Sequence, residues 1–160
     1  MIFLICAIAK NGVIGKAGKI PWHFNTDLKN FRKLTMGNIL ILGRKTFESL
    51  PKTLDGRKII ILSKNQNFSA PDAIVEHSHH FILDKHLKSK DKCFVGGGSQ
   101  IFDLFIDYAE KIYLTEIEQE IEGDAYFPIK KLENFTEISC NQIEENGVIL
   151  KFKILRRKKS

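Results

Sequence analysis

The chain has 160 residues, 43% of them hydrophobic and 28% charged, enough for one domain with a sizeable core and too mixed for a disordered or fibrous protein. No apolar run is long enough to span a membrane, and the apolar start, Met1 to Ala9, lacks a basic leader and reads as a buried strand rather than a signal peptide. The formal charge of +6 sits in the last ten residues, which hold six Lys or Arg and no acid, so Arg156-Arg157-Lys158-Lys159 is expected to be a solvated basic end rather than a nucleic-acid strip.

Cys6, Cys93 and Cys140 are odd in number and far apart, which points to reduced thiols in a cytoplasmic protein. Residues 2 to 9 are continuously apolar, as in parallel sheets covered on both faces. Gly12, Gly15 and Gly18 then make Lys10 to Lys19 a mobile loop. Pro21 disfavours helix just before it, and Asn25 or Thr26 is expected to cap a new helix with Asp27 in its first turn. Leu28, Phe31 and Leu34 recur at helical spacing as a buried stripe. A carboxylate at Asp27 would then stand at the mouth of an apolar groove, suited to a flat, nitrogen-rich ring. Read alone, an Asp in a first turn does no more than complement the helix dipole.

The strand Ile39 to Leu42 ends at Gly43, and Arg44-Lys45-Thr46 opens a short helix; strand, glycine and a cationic helix start form a plausible anion site. Asp55-Gly56 signals a turn, and Arg57 leads into the strand Lys58 to Leu62 with a guanidinium able to grip a carboxylate bidentately. That strand ends in Ser63-Lys64, so two parallel strands would present basic and hydroxyl groups on one edge. Residues 65 to 92 say least: His77 and His79 would project from one face of a strand, but no Cys or carboxylate set completes a zinc shell, and no metal is expected. Helical spacing after them is poor, and Lys85 to Lys92 reads as charged surface.

Cys93 to Val95 is a further buried strand, followed by Gly96-Gly97-Gly98-Ser99 and a helix carrying Ile101, Phe102, Phe105 and Ile106. Glycines there let backbone N–H groups approach a pyrophosphate, though the pattern is not G-x-G-x-x-G. Ile112 to Thr115 is a strand, and Asn146-Gly147 between alternating segments at 135 to 143 and 147 to 155 signals a hairpin. The pattern as a whole predicts one α/β domain with a mostly parallel sheet closing in an antiparallel hairpin.

Pro21-Trp22 followed by Asp27-Leu28 and Phe31 resembles the active-site segment of dihydrofolate reductase. Val13-Ile14-Gly15, Gly43-Arg44-Lys45-Thr46-Phe47-Glu48-Ser49, Gly56-Arg57, Leu62-Ser63, Gly96-Gly97-Gly98, Tyr113-Leu114-Thr115 and Gly123-Asp124 through Phe127-Pro128 follow in the family's order, from Ile5 to about Pro128. The resemblance implies an eight-stranded sheet with about four helices, and an adenosine-binding lobe near 38 to 88. It implies NADPH-dependent reduction of dihydrofolate by hydride transfer to C6 and protonation of N5, in a monomer needing no nucleic acid or membrane partner.

By the same resemblance Asp27, Trp22 and Thr115 are the catalytic set. Substrate contacts fall to Ile5, Cys6, Ala7, Asp27, Leu28, Phe31, Arg32, Leu50, Lys52, Leu54, Arg57, Val95 and Thr115, with Arg57 on the glutamate tail. Cofactor contacts fall to Ala7 and to the loop residues Ile14, Gly15, Lys16, Gly18 and Ile20. They continue through Gly43, Arg44, Lys45, Thr46, Leu62, Ser63 and Lys64 to Gly96, Gly97, Gly98, Ser99, Gln100, Ile101 and Phe102. Arg44, Ser63 and Lys64 would hold a 2′-phosphate, which favours NADPH over NADH. A cis peptide is expected at Gly96–Gly97. Where many relatives carry tyrosine near the nicotinamide, this chain has Phe102. Two other readings are a pyrimidine reductase of riboflavin synthesis on the same scaffold and a non-catalytic nucleotide- or RNA-binding module using the basic tail.

Overall fold

The computed structural model describes residues 1–50 and 54–159. Eight strands form one sheet, and their order explains where a site can open. The most apolar stretch becomes β1 (Ile2–Ala9), held in the interior between β6 (Cys93–Val95) and β7 (Lys111–Ile117), parallel to both. Outward from β6 run β3 (Ile39–Gly43), β4 (Lys58–Leu62) and β5 (Ile74–Glu76), all parallel. Beyond β7 the sheet turns antiparallel through β10 (Val148–Arg157) to β9 (Phe135–Glu145) at the edge. Both residues of the turn joining them have positive φ, 53° at Asn146 and 78° at Gly147, the pairing that a two-residue hairpin requires. The expected mostly parallel sheet with a closing hairpin is therefore what forms.

Helices α1 (Asn25–Thr35), α2 (Arg44–Ser49), α3 (His79–His86) and α4 (Ser99–Phe105) make the crossovers, and each face of the sheet buries its own apolar cluster. Ile2, Leu4, Ile41, Phe105 and Ile112 lie in one; Phe3, Ile5, Leu40, Leu42 and Ile61 lie in the other. Alternate residues of β1 thus serve opposite faces, as the pleat requires. No helix among the described residues is long and apolar enough to cross a membrane. Cys6 and Cys93 are buried free thiols and Cys140 is an exposed one.

Four local expectations need correction. Neither Asn25 nor Thr26 caps α1 with its side chain; Phe24 holds the N-cap position. Leu28 is 45% exposed and Phe31 and Leu34 are half-buried, so the stripe on α1 is shallow, and Thr35 is its one buried residue. His77 and His79 do not share a strand face: β5 stops at Glu76, His77 Nδ1 sits 2.8 Å from the Ser63 carbonyl, and Ser78 caps α3 by accepting from the His80 amide. The basic end is half structural. Arg156 and Arg157 belong to β10, and the Arg157 guanidinium donates to the carbonyls of Ala109 and Ile106 while stacking 4.7 Å over Phe135.

The glycine loop after β1 is also more ordered than its composition suggests. Val13–Gly15 forms β2, paired with β8 (Ala125–Tyr126) in a small second sheet. Asp124 fastens it: its carboxylate accepts from the Ala17 amide at 3.1 Å, and its own amide donates to the Gly15 carbonyl at 3.0 Å. A Cβ on Gly123 would lie 2.3 Å from Val13 Cγ1 and 2.5 Å from the Gly15 oxygen, so only glycine admits this approach.

Candidate active site

Register brings the central polar pair together. In β1 and β7, Ala7 stands opposite Thr115, where the parallel strands run toward α1. The Thr115 hydroxyl donates to Asp27 Oδ1 at 2.8 Å, joining residues 88 positions apart. Burial raises the Asp27 pKa above the ordinary carboxyl value; the Thr115 hydrogen bond opposes the rise and the Glu145 charge adds to it. Cys6 precedes Ala7 on β1 and feels the same carboxylate: burial first, and the Asp27 charge second, push its thiol well above its usual range. The product is a carboxyl group able to take up a proton within an apolar surround.

The raised pKa carries a stability prediction. Ionising Asp27 is harder in the folded protein than in the unfolded chain. Its favourable contribution is therefore complete below the unfolded value of about 4 and is lost as pH rises through the folded value. Asp27→Asn should melt at a higher temperature than the wild type near neutral pH, with the gain vanishing in acid. Thermal melts across that range test it, and equal melting temperatures at neutral pH would refute it.

Of the residues expected to wall the benzoyl ring, Leu28, Phe31, Leu50 and Leu54, three share one cluster. Phe31, Leu50 and Leu54 pack against one cluster that includes Ile5, while Cys6 and Val95 line the other face of the sheet. Leu28 stands outside these clusters, exposed on the first turns of α1. At the far end of α1, Arg57 Nη1 donates to Thr35 Oγ1 at 3.3 Å, and Thr35 in turn donates to the Phe31 carbonyl at 2.8 Å. Arg32 pairs with Asp55 at 3.3 Å. Burial and the neighbouring charge of the exposed Arg32 lower the Arg57 pKa, the mark of a partly desolvated guanidinium beside a second cation. Lys52 falls outside the described residues. Trp22 and Ala7 pack with Phe24 in a third apolar cluster beside the pair.

A second constellation lies where β3, β4 and β6 end. Gly43 and Leu62 are in register, so Arg44 and Ser63 begin adjacent exits. The Arg44 guanidinium bonds Glu48 at 2.8 Å and lies 4.8 Å over Phe68; Ser63 is buried, while Lys45 and Lys64 are exposed. The Gly43 amide donates to the Gly97 carbonyl at 2.8 Å, tying these exits to the glycine run. A Cβ on Gly96 would sit 2.8 Å from Leu42 Cδ2, and one on Gly97, whose φ is +111°, would sit 3.2 Å from the Phe102 ring. Thr46 Oγ1 lies near the Cβ positions of both Gly97 and Gly98, and Ile101 closes on Gly43. This backbone cradle, tight against a side chain at Gly96 and Gly97, fits a pyrophosphate laid against it with Ser99 and Gln100 at the start of α4. The cis peptide is Gly97–Gly98, one residue later than expected.

Phe102 is 3% exposed and packs on Phe127 at 5.3 Å, so its ring serves as core and carries no hydroxyl to the site. Ile14 packs against the same cluster as Phe102 and Val95, which brings the start of the glycine loop to the cradle. The tip of that loop stays apart: Lys16 pairs with Glu122 at 3.5 Å, Gly18 faces open space and Ile20 is half exposed. One residue escaped the sequence reading. Glu145, at the end of β9, accepts from the backbone of Asn25 and Thr26 and so closes the N-terminus of α1. Nothing local signals a contact across 120 positions: the sequence offers Asn25 and Thr26 as caps, and only the structure puts Phe24, which has no side-chain acceptor, at the N-cap.

The chain matches known proteins along nearly its whole length. The family model for dihydrofolate reductase matches residues 1–157. Dihydrofolate reductase of Staphylococcus haemolyticus is 38% identical over 141 residues, covering 88% of this chain and 84% of that protein. The Bacillus subtilis dihydrofolate reductase is 36% identical over 163 residues, covering 100% and 96%. Among solved structures, dihydrofolate reductase from Enterococcus faecalis complexed with NADP(H) and RAB-propyl superposes with a TM-score of 0.91 at 33% identity, covering 99% of this chain and 97% of that one. Full-length sequence agreement and shared architecture converge on one assignment: the chain belongs to the dihydrofolate reductase family.

Proposed function

We propose that this protein reduces 7,8-dihydrofolate to 5,6,7,8-tetrahydrofolate, by hydride transfer to C6 and protonation at N5. As a dihydrofolate reductase it is an NADPH-dependent oxidoreductase. The observation that carries the reading is the part-buried Asp27–Thr115 pair at the start of α1, with Arg57 bonded to Thr35 at the other end of that helix. When bound, NADPH supplies the hydride; the protein supplies orientation and electrostatics.

Asp27 receives the N3 and 2-amino edge of the pterin, and Thr115 fixes the carboxylate that does so. Ile5 lies on the same face of the sheet as Phe31, Leu50 and Leu54, Trp22 stands beside Ala7, and Cys6 and Val95 back the site from the opposite face. Leu28, Phe31, Leu50 and Leu54 flank the benzoyl ring, and a ligand there would cover the exposed Leu28 side chain. Arg57 binds the glutamate tail, with Arg32 and Lys52 at the rim. Gly96, Gly97, Gly98, Ser99 and Gln100 cradle the pyrophosphate against Gly43, Thr46, Ile101 and Phe102. Arg44, Lys45, Ser63 and Lys64, with Leu62 behind them, take the adenosine 2′-phosphate, which makes 38 to 88 the adenosine-binding lobe of a single domain. Ile14, Gly15, Lys16, Gly18 and Ile20 close over the nicotinamide and exclude water. The protein acts as a monomer.

Purified protein should consume the absorbance of reduced nicotinamide when given both NADPH and dihydrofolate. Binding of NADPH without its oxidation on dihydrofolate would refute this substrate and leave a pyrimidine intermediate of riboflavin synthesis to be tried. Arg57→Ala should raise the KM for dihydrofolate roughly ten- to a hundredfold with kcat little changed, since a charge-assisted hydrogen bond is worth about 1.5–3 kcal/mol. An unchanged KM would remove Arg57 from the site.

A further inference from the structure

We propose that Glu145 is a positioning residue for the active site: its carboxylate, delivered by the closing hairpin, clamps the first turn of α1 and thereby holds Asp27 on Thr115. The inference rests on the dihydrofolate reductase reading above.

Glu145 Oε2 accepts from the Asn25 amide at 2.8 Å, while Oε1 accepts from the Thr26 amide at 3.0 Å and from its hydroxyl at 2.6 Å. Three donors meet one carboxylate, and the next residue in the chain is Asp27. The helix has no local substitute, because Phe24 occupies the N-cap position and the Asn25 side chain is turned to His23 Nε2 at 3.0 Å. Free helix N-terminal amides accept an anion readily, so the clamp has a physical driving force. The hairpin is seated independently of the clamp. Phe24 is buried with Ile117 and Leu150, and Ile143 and Val148 on either side of the turn pack against them. Glu145 is paired with Val148 in the ladder, so apolar packing fixes where its carboxylate arrives.

The anion also acts on the acid it positions. Among the described residues, the groups that act on Asp27 are the Thr115 hydroxyl of β7, which bonds it, and the charge of Glu145 of β9; the Cys6 thiol of β1 feels the Asp27 charge in turn, and the His23 charge acts on Glu145. The hydrogen bonds of Thr26, helped by that of Asn25 and by the His23 charge, lower the Glu145 pKa, so it stays ionised while its like charge helps to raise that of Asp27. One residue therefore holds the central carboxyl group in place and adds to the rise in its pKa that burial begins.

The test compares Glu145→Ala, Glu145→Gln and Glu145→Asp, with Glu144→Gln on the neighbouring position as control. Glu145→Ala should lower kcat/KM for dihydrofolate about tenfold, the scale of a lost helix cap, while NADPH binding measured by fluorescence is unchanged. Glu145→Gln should move the acid limb of the kcat/KM profile to lower pH, and Glu145→Asp and Glu144→Gln should keep it in place. The Asp27 midpoint, read by carboxyl-carbon NMR on the protein alone, should fall in Glu145→Gln. That readout needs no turnover, so failure of the wild type to reduce dihydrofolate would overturn the functional reading without deciding this one. Wild-type dihydrofolate kinetics in Glu145→Ala, or an Asp27 midpoint unmoved in Glu145→Gln, would overturn the proposal. Losses that fall equally on NADPH binding and melting temperature, with the acid limb fixed, would overturn it too, by showing a merely structural role.

Discussion

Asp27→Asn should lower kcat/KM for dihydrofolate by about 2–4 kcal/mol of barrier, roughly thirty- to a thousandfold, in an otherwise intact protein. Asparagine is nearly isosteric, and its side-chain oxygen can still accept from the Thr115 hydroxyl now 2.8 Å away. What it removes is the charge and the proton-exchanging capacity of a part-buried carboxyl group whose pKa is displaced upward. NADPH affinity should hold, because the glycine cradle and the Arg44 and Ser63 exits are built from other elements. Steady-state rates with saturating NADPH check this. Near-wild-type turnover across neutral pH would remove Asp27 from the proton pathway. Together with the gain in melting temperature expected for the same substitution, the result would show a residue kept for chemistry at the expense of stability.

Phe105→Ala should destabilise the fold by about 3–5 kcal/mol while leaving the chemistry nearly untouched at low temperature. Phe105 is fully buried at the end of α4, where it meets His79 of α3 edge-on at 6.2 Å between ring centres. It shares the cluster with Ile2, Leu4 and Ile112, so its removal opens a cavity between the sheet and two helices. In a chain of 160 residues that loss corresponds to a fall in melting temperature of roughly 10 °C or more. Denaturant titration measures the free energy, and an assay in the cold measures activity. A loss below about 1 kcal/mol would mean that the surrounding side chains collapse into the space.

These residues were not equally visible in the chain itself. Phe105 was legible as core because it falls on the apolar face of a helix that follows a glycine run, and periodicity alone reports that. Asp27 was legible only through its company, since an acid in a first helical turn has an ordinary explanation in the dipole. The ordered motifs from Val13 to Pro128 supplied that company, and agreement along the whole length of the relatives bears the family out.

The sequence by itself determined the parallel core, the closing hairpin and the family. Continuous apolar runs, turn pairs such as Asn146-Gly147 and glycines at strand ends are local signals, each set within a few residues. Only the tertiary structure decided which distant groups meet. It made the apolar stripe of α1 shallow, moved the cis peptide to Gly97–Gly98, put His79 on a helix and drew Arg157 into the sheet. It joined Thr115 to Asp27 across 88 positions and Glu145 to the start of α1 across 120. Hydrogen bonds of that kind depend on strand register and on where packing sets a helix down, and neither is written in the residues beside them.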